Sequence, residues 1–194
     1  MTSVIIYALN DPSFSFLTHY LSHLGGGPNG AGIIFNVGTM ISGPLMICFF
    51  LNLSAFLRRK KVKSFLIYIS FIPGVLSSIG TFFVGVFPYT LTQDLHNVSA
   101  GFFFLGGFAY CILYSVSEWM TQGISKLQAS TGFIVALFFL LFITFTAINT
   151  FYPGLALEQS HLTEWILICA LMSWIIGHEA TMTREKRNNN IKKT

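Results

Sequence analysis

The residues able to do acid–base or ligand chemistry in this chain are few and unevenly placed. Asp11, His19, His23, Asp94, His96, Glu158, His161 and Glu164 all stand at one set of ends of the long apolar runs or in the loops beside them, whereas His178 lies at the opposite end. Four chemistries fit such a set. In catalysis, His96 or His161 would be the general base and Asp94 or Glu164 the acid or orienting group, with Ser22, Ser99 or Ser160 as nucleophile. No nucleophile elbow or other hydrolase motif accompanies them, so the catalytic residues stay unassigned. His19 and His23, four apart as metal ligands on a helix can be, would need further ligands from Asp94, His96 or His161; no third ligand comes at a telling spacing, and no metal or other cofactor is expected. The remaining two are a lipid-headgroup pocket and a hydrogen-bonded clamp between helix ends. For either of these the candidate polar cluster is Asp94, His96, His161, Glu164, His23 and Ser22. Glu164 opens an apolar run, where an unpaired carboxylate is costly, so it is expected to face inward and to take His96 as its partner.

The elements that position these residues follow from composition. Hydrophobic residues make up 53% of the 194, aromatics 16% and charged residues 9%, which leaves too little polar surface to coat a soluble globule. Five apolar runs reach bilayer-crossing length: about Gly32 to Leu57, Phe65 to Phe87, Val98 to Val116, Thr131 to Phe151, and Leu162 to Ile176 or a little beyond. The expected fold is an all-α, polytopic membrane helical bundle of five transmembrane helices, or six if a first span is missing or short, with an interfacial segment at the N-terminus.

Cations set the orientation. Arg58, Arg59, Lys60, Lys61 and Lys63 follow the first span directly, and Arg184, Lys186, Arg187, Lys192 and Lys193 follow the last. By the positive-inside rule both clusters are cytoplasmic, and the number of crossings between them agrees. Residues 58–63, the 118–130 link and the C-terminus are therefore expected inside, with loops 89–97 and 152–161 extracytoplasmic. The net charge of +4 arises beside apolar helices, which points to anionic lipid and away from nucleic acid.

Three divisions are expected. Residues 1–29 form an outer interfacial or re-entrant segment, in which Ser13 to Leu24 reads as an interfacial helix ended by the breaker Gly25-Gly26-Gly27-Pro28-Asn29-Gly30. The start lacks a basic region and a small-residue cleavage site, against a secretory signal. Residues 30–182 form the bundle. Residues 183–194 form a basic cytoplasmic tail, expected to be disordered or to lie on the inner surface.

The stretch Tyr20-Leu21-Ser22-His23-Leu24-Gly25, then Pro28-Asn29-Gly30, then Ile34-Phe35-Asn36-Val37-Gly38 and Gly43, resembles the opening of the membrane family called domain of unknown function 998. Gly80, Gly85-Val86-Phe87-Pro88, His96, Ala100 and Phe103, with Glu164-Trp165 at the head of the last span, are similar both to that family and to the related Frag/DRAM/Sfk group of damage-regulated autophagy modulators. The resemblance covers residues 15 to 180. It implies a six-helix bundle of mostly unassigned function, with relatives linked to lipid handling, lysosomal membranes or remodelling of glycolipid anchors. Family members carry a further span before the Ser-x-Leu-Gly segment, so here that helix is either absent or represented by Val4 to Leu9.

Further expectations concern packing. Gly101, Gly106 and Gly107 are read as helix-packing positions, and Asn36 and Asn149 as interhelical hydrogen-bond formers. Cys48, Cys111 and Cys169 are read as small buried apolar residues without a bridge. A break at Pro73-Gly74 is the one feature favouring a transporter or channel subunit, against which stand the lack of an internal repeat and of mid-membrane charges. The sequence therefore reads as an integral membrane protein, a non-catalytic bundle whose outer polar cluster binds lipid or a partner protein. A lipid-modifying enzyme using His96 with Glu164 or Asp94 and a transporter are the alternatives. Membrane lipids are the expected partners, with another membrane protein or a second copy also open.

Overall fold

A computed structural model describes residues 1–191 of the chain. Among these residues the secondary structure is helical throughout, in the order α1 (Thr2–Asn10), a 3-10 turn (Leu21–Gly26), α2 (Ala31–Arg59), α3 (Ser64–Val86), α4 (Gln93–Trp119), α5 (Lys126–Phe151) and α6 (Leu157–Ile191). Helices α2 to α6 are each long and apolar enough to cross a membrane. Their interiors carry aliphatic and aromatic side chains on every face, because lipid replaces water around the bundle and backbone groups must be satisfied within each helix. With nine residues, α1 spans only about 14 Å and cannot cross.

The five long helices pack each against the next in sequence, and α6 returns to touch α2. The core lies where α2, α4, α5 and α6 meet. There the Phe50 ring stacks parallel to Tyr114 and edge-on to Tyr110, Phe49 meets Trp174, and Phe139 packs against Tyr110 and Phe103. Close approach is bought by glycine at α3 and α4: a Cβ on Gly106 would lie 2.8 Å from the Pro73 carbonyl, and one on Gly107 would collide with the Phe139 ring. Gly101 faces open space and is not a packing position, unlike the other two.

Several expectations are revised. Residues 13–20 are turns and irregular chain, because Asp11 Oδ1 takes the Ser13 amide at 2.9 Å and Ser15 Oγ takes that of Leu17 at 3.0 Å; side chains that bond their own backbone compete with a helix. The breaker does end before α2, whose N-cap Gly30 has φ 85°. Helix α3 is continuous through Pro73, so the break that favoured a transporter is not there. Helix α6 runs on through Thr183 to Ile191: the apolar run stops at Ile176, but Glu179, Ala180, Met182, Arg184, Glu185, Lys186 and Arg187 are good helix formers. The tail is thus helical as far as it is described, and Lys192 and Lys193 lie outside the described residues. Cys111 is buried, whereas Cys48 and Cys169 are exposed on the bundle's outside, and all three are free. Asn36 and Asn149 bond locally, Asn36 Nδ2 to the Gly25 carbonyl at 3.0 Å and Asn149 Oδ1 from the Gly154 amide at 2.9 Å, so neither bridges two spans.

The basic residues share one end of the bundle. Lys60 Nζ donates to the Gly123 carbonyl at 3.2 Å and pairs with Glu185 at 2.6 Å, which joins the α2–α3 turn, the α4–α5 link and the far part of α6.

Candidate functional site

At the opposite end, the segment after α1 folds back over the bundle and is strapped to the first turns of α6. His161 Nδ1 bonds the Leu17 carbonyl at 2.7 Å, Trp165 Nε1 donates to the His19 carbonyl at 2.9 Å, Tyr20 Oη and Ser160 Oγ share a bond of 2.7 Å, and Glu164 Oε2 accepts the Leu21 amide at 2.7 Å. These four side chains occupy positions 160, 161, 164 and 165, one helical face by the spacing of three and four residues. Ser3 Oγ adds a bond to the Ala31 carbonyl at 2.8 Å, fixing α1 to the start of α2.

His23 sits at the centre of this end. Its ring lies 5.8 Å from that of His19, 5.3 Å from Tyr20, 5.3 Å from Tyr89 and 6.2 Å from His161, and Tyr89 in turn lies 5.8 Å from His96. Burial and the neighbouring imidazoles of His19, His161 and His96 push the His23 pKa down to about 4, so it is neutral at pH 7. The same burial raises the Tyr20 phenol. Phe142 meets Tyr20 from the membrane side and stacks on Phe104, forming the apolar floor.

Hydrogen bonding fixes the tautomers. A carbonyl oxygen only accepts, so His161 Nδ1, against Leu17, and His96 Nδ1, 2.8 Å from the Phe87 carbonyl, must both carry the proton. In the neutral ring Nε2 then bears the lone pair, and neither Nε2 has a hydrogen-bond partner among the described residues. Both side chains are 3% exposed and Glu164 is 5% exposed.

The structure brings His23, His96, His161 and Glu164 to one end, but the pairing expected between His96 and Glu164 is not formed: each side chain makes its one hydrogen bond to backbone, Glu164 with Leu21 and His96 with Phe87. Asp94 is exposed in the first turn of α4, and its carboxylate makes no hydrogen bond among the described residues. Ser22 is half-buried and makes no hydrogen bond there. As nucleophiles Ser160 and Ser99 are poorly placed, since Ser160 Oγ donates to the Leu157 carbonyl at 2.7 Å and Ser99 Oγ to the Leu95 carbonyl at 2.7 Å. No group of three His, Cys, Asp or Glu among the described residues is arranged to hold a metal ion.

Two sets of residues escape a reading by sequence. Tyr20, Tyr89 and Trp165 join the cluster at the strapped end through long-range ring and backbone contacts. At the other end, His178 Nε2 lies 3.0 Å from Glu118 Oε1, both side chains 1% exposed, while His178 Nδ1 faces the Trp174 carbonyl at 2.9 Å. The signal for this pair was present in the two crossings, α5 and α6, that separate them, an even number that returns the far end of α6 to the side of the far end of α4.

The chain matches, over residues 1–178, the model of the family described as Protein of unknown function (DUF998), and it belongs to that family. Neither a curated protein nor a solved structure matches it. With five membrane-length helices, the protein is a multi-pass integral membrane protein.

Proposed function

We propose that this member of the family is a non-catalytic membrane bundle whose strapped end binds the polar head of a membrane lipid at the His23–His96–His161–Glu164 cluster. The observation that carries the reading is the pair of nearly buried imidazoles, His96 and His161, held by carbonyls with Nε2 unpartnered, above an apolar floor of Phe104 and Phe142. Ligand sites of this kind combine apolar walls with a few convergent polar groups. Catalysis is less favoured because Asp94 stands apart and the Ser99 and Ser160 hydroxyls are occupied. Kinship with the Frag/DRAM/Sfk group, through the Gly85-Val86-Phe87-Pro88 and Glu164-Trp165 segments, is part of the proposal, as is the division into an outer N-terminal strap, a bundle and a basic tail.

We assign the strapped end to the extracytoplasmic side, with residues 58–63, 118–130 and the C-terminus cytoplasmic. The grouping of Lys60, Gly123 and Glu185 at one end, together with the basic bias there, supports this. In a background with Cys48, Cys111 and Cys169 changed to Ala, an impermeant maleimide applied to intact cells should label Asp94→Cys and spare Lys61→Cys; the reverse would overturn the assignment.

The binding reading is tested by native mass spectrometry of the protein released from mild detergent. Wild type should retain a saturable lipid adduct, and His23→Phe should lose it with little change in melting temperature, since the His23 side chain makes no hydrogen bond among the described residues. Equal retention by both, or a large loss of stability without loss of lipid, would leave the cluster as a mechanical clamp only.

A further inference from the structure

We infer that the head recognised at this site is a primary ammonium, as in an ethanolamine-type aminophospholipid; the inference rests on the lipid-binding reading above. Three observations lead to it.

First, the hydrogen-bonding positions that His96, His161 and Glu164 leave open are acceptors. The Nδ1 protons of His96 and His161 are committed to the Phe87 and Leu17 carbonyls, so each Nε2 offers a lone pair. Glu164 spends Oε2 on the Leu21 amide and has Oε1 left over. Sites of this composition call for a ligand with several donors on one atom, and an ammonium supplies three.

Second, Glu164 lacks a counter-charge. It is 5% exposed, and its one hydrogen bond is to an amide. Every Lys and Arg of the chain falls at 58–63, 126 or 184–193, all at or beyond the opposite ends of the spans. A buried carboxylate without a cation is strongly unfavourable, and a bound cation would remove that penalty. In the described residues the acidic partners of ion pairs are Glu185 and Glu118, both at the far end.

Third, the end as a whole repels anions. Asp11, Asp94 and Glu158 are its acids nearest water, Glu164 is its buried carboxyl, and His23 stays neutral under the influence of its buried surroundings and of His19, His161 and His96. A phosphate entering alone would meet no positive charge. A zwitterionic head can place its ammonium among the acceptors and leave its phosphate at the rim, in water. Among zwitterions, a quaternary ammonium has no N–H to give to Nε2, which favours the primary amine.

The test uses full-length protein in detergent and four lipids with identical acyl chains, carrying ethanolamine, N-methylethanolamine, choline or glycerol heads, with bound fraction read by native mass spectrometry. The expected order is ethanolamine, then the N-methyl head, then choline and glycerol, with about tenfold or more between first and last, as charge-assisted hydrogen bonds are lost. Glu164→Gln, which keeps an acceptor for the Leu21 amide, should bind the four heads equally while keeping its melting temperature close to wild type. Should the variant fail to fold, the head series on wild type alone decides. Equal binding of ethanolamine and choline heads, or preference for glycerol, overturns the ammonium while leaving lipid binding intact. Absence of saturable binding for all four overturns both. If soluble phosphoethanolamine competes at the same concentration as the lipid, the ammonium stands and its source is a free amine.

Discussion

Glu164 and Leu21 lie 143 residues apart and are joined by a 2.7 Å bond from the Leu21 amide to the carboxylate. That bond ties the turn after α1 to the head of α6, and around it the other strap bonds gather. Glu164→Ala should therefore free the strap, lowering stability by about 1.5–3 kcal/mol, the usual loss for a hydrogen bond to a charged group. Glu164→Gln should recover most of it. Hydrogen exchange at residues 15–26 is the measurement; an unchanged exchange pattern in Glu164→Ala would refute the strap.

Removing one member of the Glu118–His178 pair should be costly, because the other is left buried at 1% exposure without its partner. Single substitutions Glu118→Ala and His178→Ala are each expected to cost about 3–5 kcal/mol, and the double variant clearly less than their sum. A double-mutant cycle that closes additively would show that the two side chains do not stabilise each other.

Small residues at helix contacts give a paired prediction. A Cβ at Gly80 would lie 2.5 Å from the Phe103 nitrogen and 2.6 Å from the Ser99 carbonyl oxygen, both backbone atoms that cannot turn aside. Gly80→Ala should cost about 1–3 kcal/mol. Gly101 has nothing within 4 Å of its Cβ position, so Gly101→Ala should be neutral or stabilising by up to about 1 kcal/mol through helix propensity. Melting temperatures of the two variants would check both signs.

Acid should destabilise the strapped end through His23. The unfolded residue protonates near its ordinary value of 6.5, and the folded one only at about 4, so between these the unfolded state binds more protons. Stability contributed by neutral His23 is complete above pH 6.5 and is lost as the pH falls toward 4. The groups facing it are His19, Tyr20, Tyr89 and His161, with His96 beyond Tyr89. Melting temperature against pH should fall less steeply in His23→Gln than in wild type; parallel curves would remove His23 as the cause.

The five membrane-length helices were legible because hydropathy summed over twenty or more residues outweighs local ambiguity, and the pairing of Lys60 with Glu185 puts the two basic segments at one end of the bundle. Element ends were less so. Helix α4 starts at Gln93, ahead of the apolar run at Val98, and α6 outlasts its own run by fifteen residues, because helix propensity does not require hydrophobicity. That His23, His96, His161 and Glu164 share one end of the bundle was legible, since all are titratable groups at the same ends of spans. Its wiring was not: Glu164 and His96 find backbone partners at Leu21 and Phe87, and backbone groups leave no trace in residue identity. The strap itself depends on contacts across 140 or more residues, which no local pattern encodes.

The most direct test of the central claim is an experimental density map of the protein in a lipid bilayer disc. The account predicts non-protein density between His23, His96, His161 and Glu164, with its polar end within hydrogen-bond reach of the two Nε2 atoms and its acyl part along Phe104 and Phe142. A dry, fully packed junction there, with residues 11–26 filling the space, would contradict it.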